Sequence, residues 1–493
     1  MLLGLDVGTT GARAVAVDES GRVRAAASAE YPLSTPRPGW AEQDPADWWD
    51  GARSALRRVA AECTDASDGI AGLGLTGQMH GSVFLDGADA VIRPALLWND
   101  QRTAAQCERI TASVGASLLI ELAGNPALTG FQAPKILWLR DAEPDAYARV
   151  ASVLLPKDYV RLLLTGERAT DVSDASGTLL LDVRRRTWSE PILDALEIPR
   201  SWLPAVHEGP DVTGRLSAEV AAELGLPAGL PVAAGGGDNA AAAVGTGIVT
   251  AGRVSSSVGT SGVVFAHGDE FAPDPSGRVH AFCHAVPGKY HLMGVTLSAG
   301  GSLRWWRDLL GGGRGYDELV SEAAAVAPGA EGLLFLPYLT GERTPHLDPH
   351  ARGAFFGLTA RHGRGHLTRA LMEGVAFSLR DSLEIMRGLG VAPSQVRATG
   401  GGARNALWRQ LQADVYGVPV VRTAAEEGPA YGAALLAGVA AGAFRDVDDA
   451  SRRVELQPEV IEPDAARAAV YERQYALYRE LYPATAELAH RLV

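Results

Sequence analysis

Leu2-Leu3-Gly4-Leu5-Asp6-Val7-Gly8-Thr9-Thr10-Gly11-Ala12-Arg13-Ala14-Val15-Ala16-Val17 reads as two apolar strands joined by a glycine and threonine turn, with one carboxylate, Asp6, closing the first strand. Gly8 and Gly11 reach backbone angles closed to other residues, so successive N–H groups can face an anion, while Thr9 and Thr10 add hydroxyl donors. The turn suits phosphate. A carboxylate beside it cannot touch phosphate directly, which leaves Asp6 to a magnesium ion (Mg2+), often through water. A plain tight hairpin also needs glycine. A second copy shifts the balance, because Gly252-Arg-Val-Ser-Ser-Ser-Val258-Gly259-Thr260-Ser261-Gly262-Val-Val-Phe265 repeats the pattern of strand, turn and strand. Neither turn carries the Gly-Lys-Ser/Thr that opens a helix in a P-loop. One hairpin near the start of each half points to two related lobes with a nucleotide polyphosphate clamped between them.

A chain of 493 residues exceeds one core, so two domains are expected, residues 1–245 and 246–493, with the hinge between Gly245 and Ala251. The net charge of −13 argues against nucleic acid or an anionic membrane as partner, so a bound nucleotide must rest on local N–H groups and a metal. The N-terminus has no basic region and Asp6 interrupts any signal-peptide core, which makes a cytoplasmic location the expectation. Cys63, Cys107 and Cys283 are scattered, with no disulfide framework or zinc spacing. The Ala-rich stretch after Asp238 is too short and too broken by glycine to span a bilayer.

Runs such as Gly69–Leu75, Val91–Leu97 and Leu230–Ala234 read as strands that alternate with helices, so the class is α/β. Asp44 and Pro45 open a helix through Ala52, Ala55, Leu56 and Val59. Val396–Thr399 reads as a strand, a helix follows from about Asn405 to Tyr416, and the tail from Asp464 forms one long helix.

Three segments carry chemistry. In Ala233-Ala234-Gly235-Gly236-Gly237-Asp238-Asn239 a buried strand ends in glycines and presents a carboxylate at the lobe junction, placed to take a proton from a hydroxyl turning nucleophile. An Asp capping a helix that begins at Asn239 is the other reading. Thr399-Gly400-Gly401-Gly402-Ala403-Arg404-Asn405 lets a flat adenine ring lie on bare backbone, where a plain turn would need one glycine. Thr76-Gly77-Gln78-Met79-His80-Gly81 follows a buried strand at the edge where open α/β sheets bind ligands, and His80 is either a sugar contact or a structural histidine.

Many motifs in order then resemble the FGGY carbohydrate kinase family, of the actin and hexokinase fold, over nearly the whole length. They are Gly4-Leu-Asp6-Val-Gly-Thr9-Thr10, Trp40-Ala-Glu-Gln-Asp44-Pro45, Gly77-Gln-Met79-His80-Gly81, Leu97-Trp98-Asn99-Asp100 with Arg102, and Gly130-Phe131 with Ala133-Pro134-Lys135. They continue through Leu154-Leu-Pro-Lys157-Asp158-Tyr159, Gly235-Gly-Gly-Asp238-Asn239, Val258-Gly-Thr260-Ser-Gly262, Gly341-Glu-Arg-Thr-Pro-His346, Gly357-Leu358 with His366-Leu367 and Glu373, and Gly400-Gly-Gly-Ala-Arg404. The resemblance implies a two-lobed, ribonuclease H-like ATPase fold with the active site in the interdomain cleft. It implies Asp238 as the general base, Met79, His80, Asp238 and Asn239 as sugar contacts, and Asp6 as the Mg2+-associated carboxylate. Thr9, Thr10, Gly259 and Thr260 match the phosphate turns, Gly401 and Gly402 the adenine strip, and Asn405 is a further nucleotide contact. Trp98, Asp100 and Arg102 border the family's sugar site and are read first as scaffold. Gln132 stands where the family has a small residue, which puts local packing in question. The implied activity is ATP-dependent phosphorylation of a ketopentose, D-xylulose to D-xylulose 5-phosphate. Ribulose, gluconate or glycerol as acceptor, or a silent sugar sensor, are the alternatives, and a homodimer is left open.

Overall fold

Both quoted hairpins form, and each seeds a six-stranded sheet, but neither Gly8 nor Gly11 takes a positive φ: Gly11 is required by close approach, since a Cβ there would fall 2.6 Å from Ala29 O. The structure, a computed structural model, describes residues 1–63, 69–425 and 427–492. In the first half, β1 (Leu2–Val7), β2 (Gly11–Val17), β3 (Val23–Glu30), β4 (Gly72–Gly77), β5 (Val212–Arg215) and β6 (Pro231–Gly237) assemble in the order β5-β6-β4-β1-β2-β3. In the second, β7 (Arg253–Val258), β8 (Gly262–Gly268), β9 (His280–Cys283), β10 (Tyr290–Thr296), β11 (Gln395–Thr399) and β12 (Val420–Arg422) assemble as β9-β10-β8-β7-β11-β12. The plan is common to both. An antiparallel hairpin extends outward through a further antiparallel strand, and its first strand pairs in parallel with a later one, β1 with β4 and β7 with β11.

The helices that matter to the site are α1 (Pro45–Glu62), α2 (Gln132–Ala142), α3 (Pro156–Thr165), α4 (Val172–Ser176), α5 (Asp238–Gly245), α6 (Gly300–Leu310), α7 (Arg364–Gly388), α8 (Ala406–Tyr416), α9 (Gly428–Ala440) and α10 (Ala465–Arg491). Asp44 caps α1 through an Ala46 N–H bond of 3.0 Å, with Pro45 in the first helical position where its missing N–H costs nothing. Helices α1 and α3 cover one face of the first sheet, and α9, from the far end of the chain, covers the other. Its approach depends on glycine. A Cβ on Gly4 would fall 1.9 Å from Ala430 O, and one on Gly74 1.9 Å from Ala433 O. Helix α9 crosses α5 as closely, since a Cβ on Gly432 would fall 1.8 Å from Ala241 O. Among the described residues no helix is long and apolar enough to cross a membrane.

Some element bounds differ from the reading of the sequence. Of Val91–Leu97 only Ala95–Leu96 is strand, because Pro94 has no N–H for a ladder and Val91 makes one isolated bridge, to Leu85. The strand expected from Gly69 begins at Gly72. β6 runs on through its three glycines, with a register shift between Ala233 and Gly236. Gly237, not Asp238, is the N-cap of α5.

Candidate active site

Parallel pairing delivers three segments to one edge. Asp6, Thr76 and Gly236 lie side by side across β1, β4 and β6, as do Val7, Gly77 and Gly237. The turn Gly8–Gly11, the segment Gln78–His80 and Asp238 therefore all leave the sheet at the carboxyl ends of parallel strands.

The first turn is held by side chains. Tyr31 OH donates to Gly8 O (2.5 Å), Gln43 Nε2 donates to Thr9 O (2.7 Å), and Gln78 Nε2 donates to Gln43 Oε1 (3.0 Å). The Thr9 hydroxyl accepts from Trp98 Nε1 (3.0 Å) and donates to Gln78 Oε1 (3.3 Å), while Thr10 is exposed. Asp6 Oδ1 is buried with no hydrogen-bond partner. Burial, and then the charge of Asp238, push its carboxyl up to about 7 against the pull of Arg13. A partnerless carboxylate oxygen beside the Gly8–Gly11 turn fits a hard divalent cation. Among the described residues no group of three or more His, Cys, Asp or Glu could hold a metal, so an ion at Asp6 would complete its shell with water and phosphate, the habit of Mg2+.

Asp238 Oδ1 accepts from the backbone N–H (2.7 Å) and Nδ2 (2.8 Å) of Asn239. Burial outweighs both bonds and pushes its carboxyl up to about 6, the range of a base working near neutrality. Met79 packs beside it, since a Cβ on Gly237 would fall 2.8 Å from Met79 Cγ and 2.9 Å from its Sδ. His80 stands in left-handed backbone at φ 69° with Nδ1 2.6 Å from Gly177 O. A carbonyl only accepts, so Nδ1 carries the hydrogen, and burial holds the ring neutral by lowering its pKa to about 3. Nε2 is thereby an acceptor. The four expected sugar contacts thus form one cluster. Lys135 Nζ donates to His80 O (2.8 Å) and fixes that loop. Gln132 is buried, its Nε2 donating to Gly81 O (3.0 Å) and Leu154 O (3.3 Å). Asp100 and Arg102 are scaffold. They pair in the interior, and the guanidinium lies 3.5 Å from the Trp40 ring centroid.

Across the cleft the second turn is held by backbone. Gly300 N donates to Gly259 O (2.8 Å), and Ala299 N and Gly301 N donate to Thr260 O (2.9 and 3.0 Å). Gly259, Thr260, Gly401, Gly402 and Asn405 line one cavity of about 510 Å³, closed by Leu303, Arg304, Tyr316, Asp317 and Trp408. A Cβ on Gly401 would meet nothing within 4 Å, so its backbone is open ground for a flat ring. Asn405 Oδ1 is occupied as the cap of α8, bonded to Leu407 N (2.9 Å) and Trp408 N (3.2 Å), which leaves its Nδ2 for a ligand. A second cavity of about 430 Å³ shares Gly401 and Arg404 with the first and extends to Asp238 and Asn239. Thr9, Thr10 and Asp6 line neither cavity. Tyr316, Asp317, Arg304 and Trp408 were not marked by the sequence, where they sit in ordinary amphipathic helices.

Residues 1–245 match the N-terminal domain of the FGGY family of carbohydrate kinases and residues 254–441 match its C-terminal domain. The chain belongs to that family. It is 44% identical to the xylulose kinase of Escherichia coli (strain K12) over 483 residues, 98% of each chain. The crystal structure of xylulose kinase from Rhodospirillum rubrum superposes with a TM-score of 0.93 at 35% identity, covering 99% of both chains. That of gluconate kinase from Lactobacillus acidophilus superposes with a TM-score of 0.95 at 27% identity, covering 100% of this chain and 99% of that one.

Proposed function

We propose that this chain transfers the γ-phosphoryl group of ATP to the terminal hydroxyl of D-xylulose, giving D-xylulose 5-phosphate and ADP. The observation that carries the acceptor is the full-length 44% identity to a xylulose kinase. Support for the chemistry comes from Asp238, a carboxylate raised toward neutrality in the wall of a cavity that continues to Gly401. Asp238 takes the proton of the terminal hydroxyl as that oxygen attacks the γ-phosphorus and the bond to the β,γ-bridging oxygen breaks. Met79 and Asn239 seat the reacting end, and His80 Nε2 accepts from a hydroxyl further along the sugar. The turns at Gly8–Gly11 and Gly259–Gly262 hold the phosphates from opposite lobes, and the strip at Gly401 and Gly402, with Asn405 Nδ2, takes the adenine. Asp6 would hold Mg2+, which when bound offsets phosphate charge. Positioning supplies most of the rate, and closure of the lobes excludes water as competing acceptor. Three buried free thiols, Cys63, Cys107 and Cys283, suit a cytoplasmic site of action.

ADP release is to be measured with magnesium-ATP and, in turn, xylulose, ribulose, gluconate and glycerol. The expected result is a kcat/KM for xylulose at least tenfold above the rest. Gluconate as the preferred acceptor would replace the sugar and keep the clamp, and no transfer to any acceptor would leave a sugar-binding protein.

A further inference from the structure

The carboxylate read as the base stands at the end of three glycines, the residues least able to fix a direction by themselves. Two buried side chains bracket that run. Upstream, Arg161 on α3 donates to Ala233 O (3.0 Å) and Ala234 O (2.6 Å). Downstream, Gly237 N donates to Ser173 Oγ (3.1 Å), and Ser173 Oγ donates to Asp171 Oδ1. Asp171 is anchored in turn. Its Oδ1 caps α4 through Ser173 N (2.8 Å) and Asp174 N (3.2 Å), and its Oδ2 lies 2.9 Å from Lys157 Nζ, which also pairs with Asp158 (2.6 Å) and Asp174 (3.3 Å). Lys157, Asp158, Arg161, Asp171, Ser173 and Asp174 have no measurable exposure, so this chain of contacts is shielded from water. The same short helix reaches the other end of the sugar pocket, because the residue after α4, Gly177, supplies the carbonyl that fixes His80.

We propose that Ser173 is a positioning residue for phosphoryl transfer. Resting on the reading of Asp238 as the base, it transmits the fixed position of the Lys157–Asp171 pair through its hydroxyl to the Gly237 N–H, and so sets the direction in which Asp238 leaves the strand. Without an acceptor at that point the Gly236–Gly237 peptide can turn between its two glycines and carry Asp238 with it, and a base displaced by about 1 Å loses on the order of 10²-fold in rate. The sugar contacts at Met79 and His80 stay in place, so the loss falls on kcat.

The test is a cycle of Ser173→Ala, Ser173→Thr, Asp238→Ala and the double variant Ser173→Ala/Asp238→Ala, with xylulose and magnesium-ATP. Ser173→Ala is expected to lower kcat about 10- to 100-fold, with both KM values within about twofold of wild type. Ser173→Thr, which keeps the hydroxyl, is expected to restore most of the rate. In the Asp238→Ala background, removing the Ser173 hydroxyl is expected to cost nothing further, since there is no base left to aim. Normal kcat in Ser173→Ala, or an equal loss with and without Asp238, overturns the positioning role. Near-normal turnover in Asp238→Ala alone overturns the underlying assignment of the base, which separates the two failures. Should Ser173→Ala be insoluble, Ser173→Cys decides: it keeps the size but accepts an N–H weakly, and wild-type kcat there overturns the role equally.

Discussion

The two glycine and threonine turns are built to one pattern and held in opposite ways. Aligned by their glycines, Asp6-Val7-Gly8-Thr9-Thr10-Gly11 matches Ser257-Val258-Gly259-Thr260-Ser261-Gly262, so a carboxylate in one lobe stands where the other has a hydroxyl. The first turn is braced by Tyr31, Gln43, Gln78 and Trp98 and sits on the sheet edge that also carries Asp238 and His80. The second is braced by N–H groups at the start of α6 and opens on the cavity of Gly401 and Trp408. The proposed function divides the labour along the same line, with protons, charge and sugar on the N-terminal edge and nucleotide at the backbone-held C-terminal turn.

That division orders the effects of substitution. Asp238→Ala, on the chemical edge, is expected to lower kcat for xylulose about 10²- to 10⁴-fold with nucleotide affinity unchanged in titration calorimetry. Asp6→Asn is expected to cost about 10²-fold and to raise the magnesium concentration needed for half-maximal rate, whereas Ser257→Ala should leave that concentration within about twofold. A reversed order would break the comparison.

Asp6 also has a readout without turnover. Its folded pKa of about 7 lies above the unfolded carboxylate value of about 3.9, so its contribution is fully present at low pH and is lost as pH rises through the folded value. In magnesium-free urea melts, Asp6→Asn is therefore expected to match wild type near pH 4 and to exceed it by on the order of 4 kcal/mol above pH 8. A constant difference would place Asp6 outside a strained cation site.

His80→Ala removes an acceptor from a buried hydroxyl and is expected to cost about 1–3 kcal/mol in kcat/KM for xylulose. Slow ATP hydrolysis by water should persist, and equal loss of both activities would make His80 structural. The smallest contrast compares the turns directly. Thr9→Val loses bonds to Trp98 and Gln78, about 1 kcal/mol, while Thr260→Val should change kcat/KM by less than about twofold, its bonds being backbone.

What could be read from the sequence was local. Gly8–Gly11 and Gly259–Gly262 announce hairpins because a short glycine-bounded turn stands between two apolar strand-forming runs, and Asp44-Pro45 announces a helix start because the aspartate caps it and the proline lacks only an N–H that needs no partner there. Asp238 was legible as chemistry but ambiguous as geometry. Only tertiary packing shows that β6 carries on to Gly237 and that Ser173, not a cap, secures it. Asn405 was assigned to nucleotide, and half its amide is in fact committed to α8. The cavity wall at Tyr316, Asp317 and Trp408 could not be read, because helices far apart in sequence meet there and no local pattern marks the face that lines a void. The pairing of α9 with the first sheet was equally hidden, since Gly4 and Gly74 look like ordinary strand glycines until the helix backbone is seen against them.

The pH dependence of kcat/KM for xylulose, in wild type and in Asp238→Asn, tests the base most directly. Asp238 must be ionised to take the sugar proton, and burial pushes its carboxyl up to about 6. With magnesium held saturating so that Asp6 stays ionised, wild-type activity is therefore expected to fall as pH drops through about 6, whereas the residual rate of Asp238→Asn should run flat from about pH 5 to 8. The same acid limb in both proteins, or a variant turning over at a near-normal rate, would contradict Asp238 as the group that receives the proton.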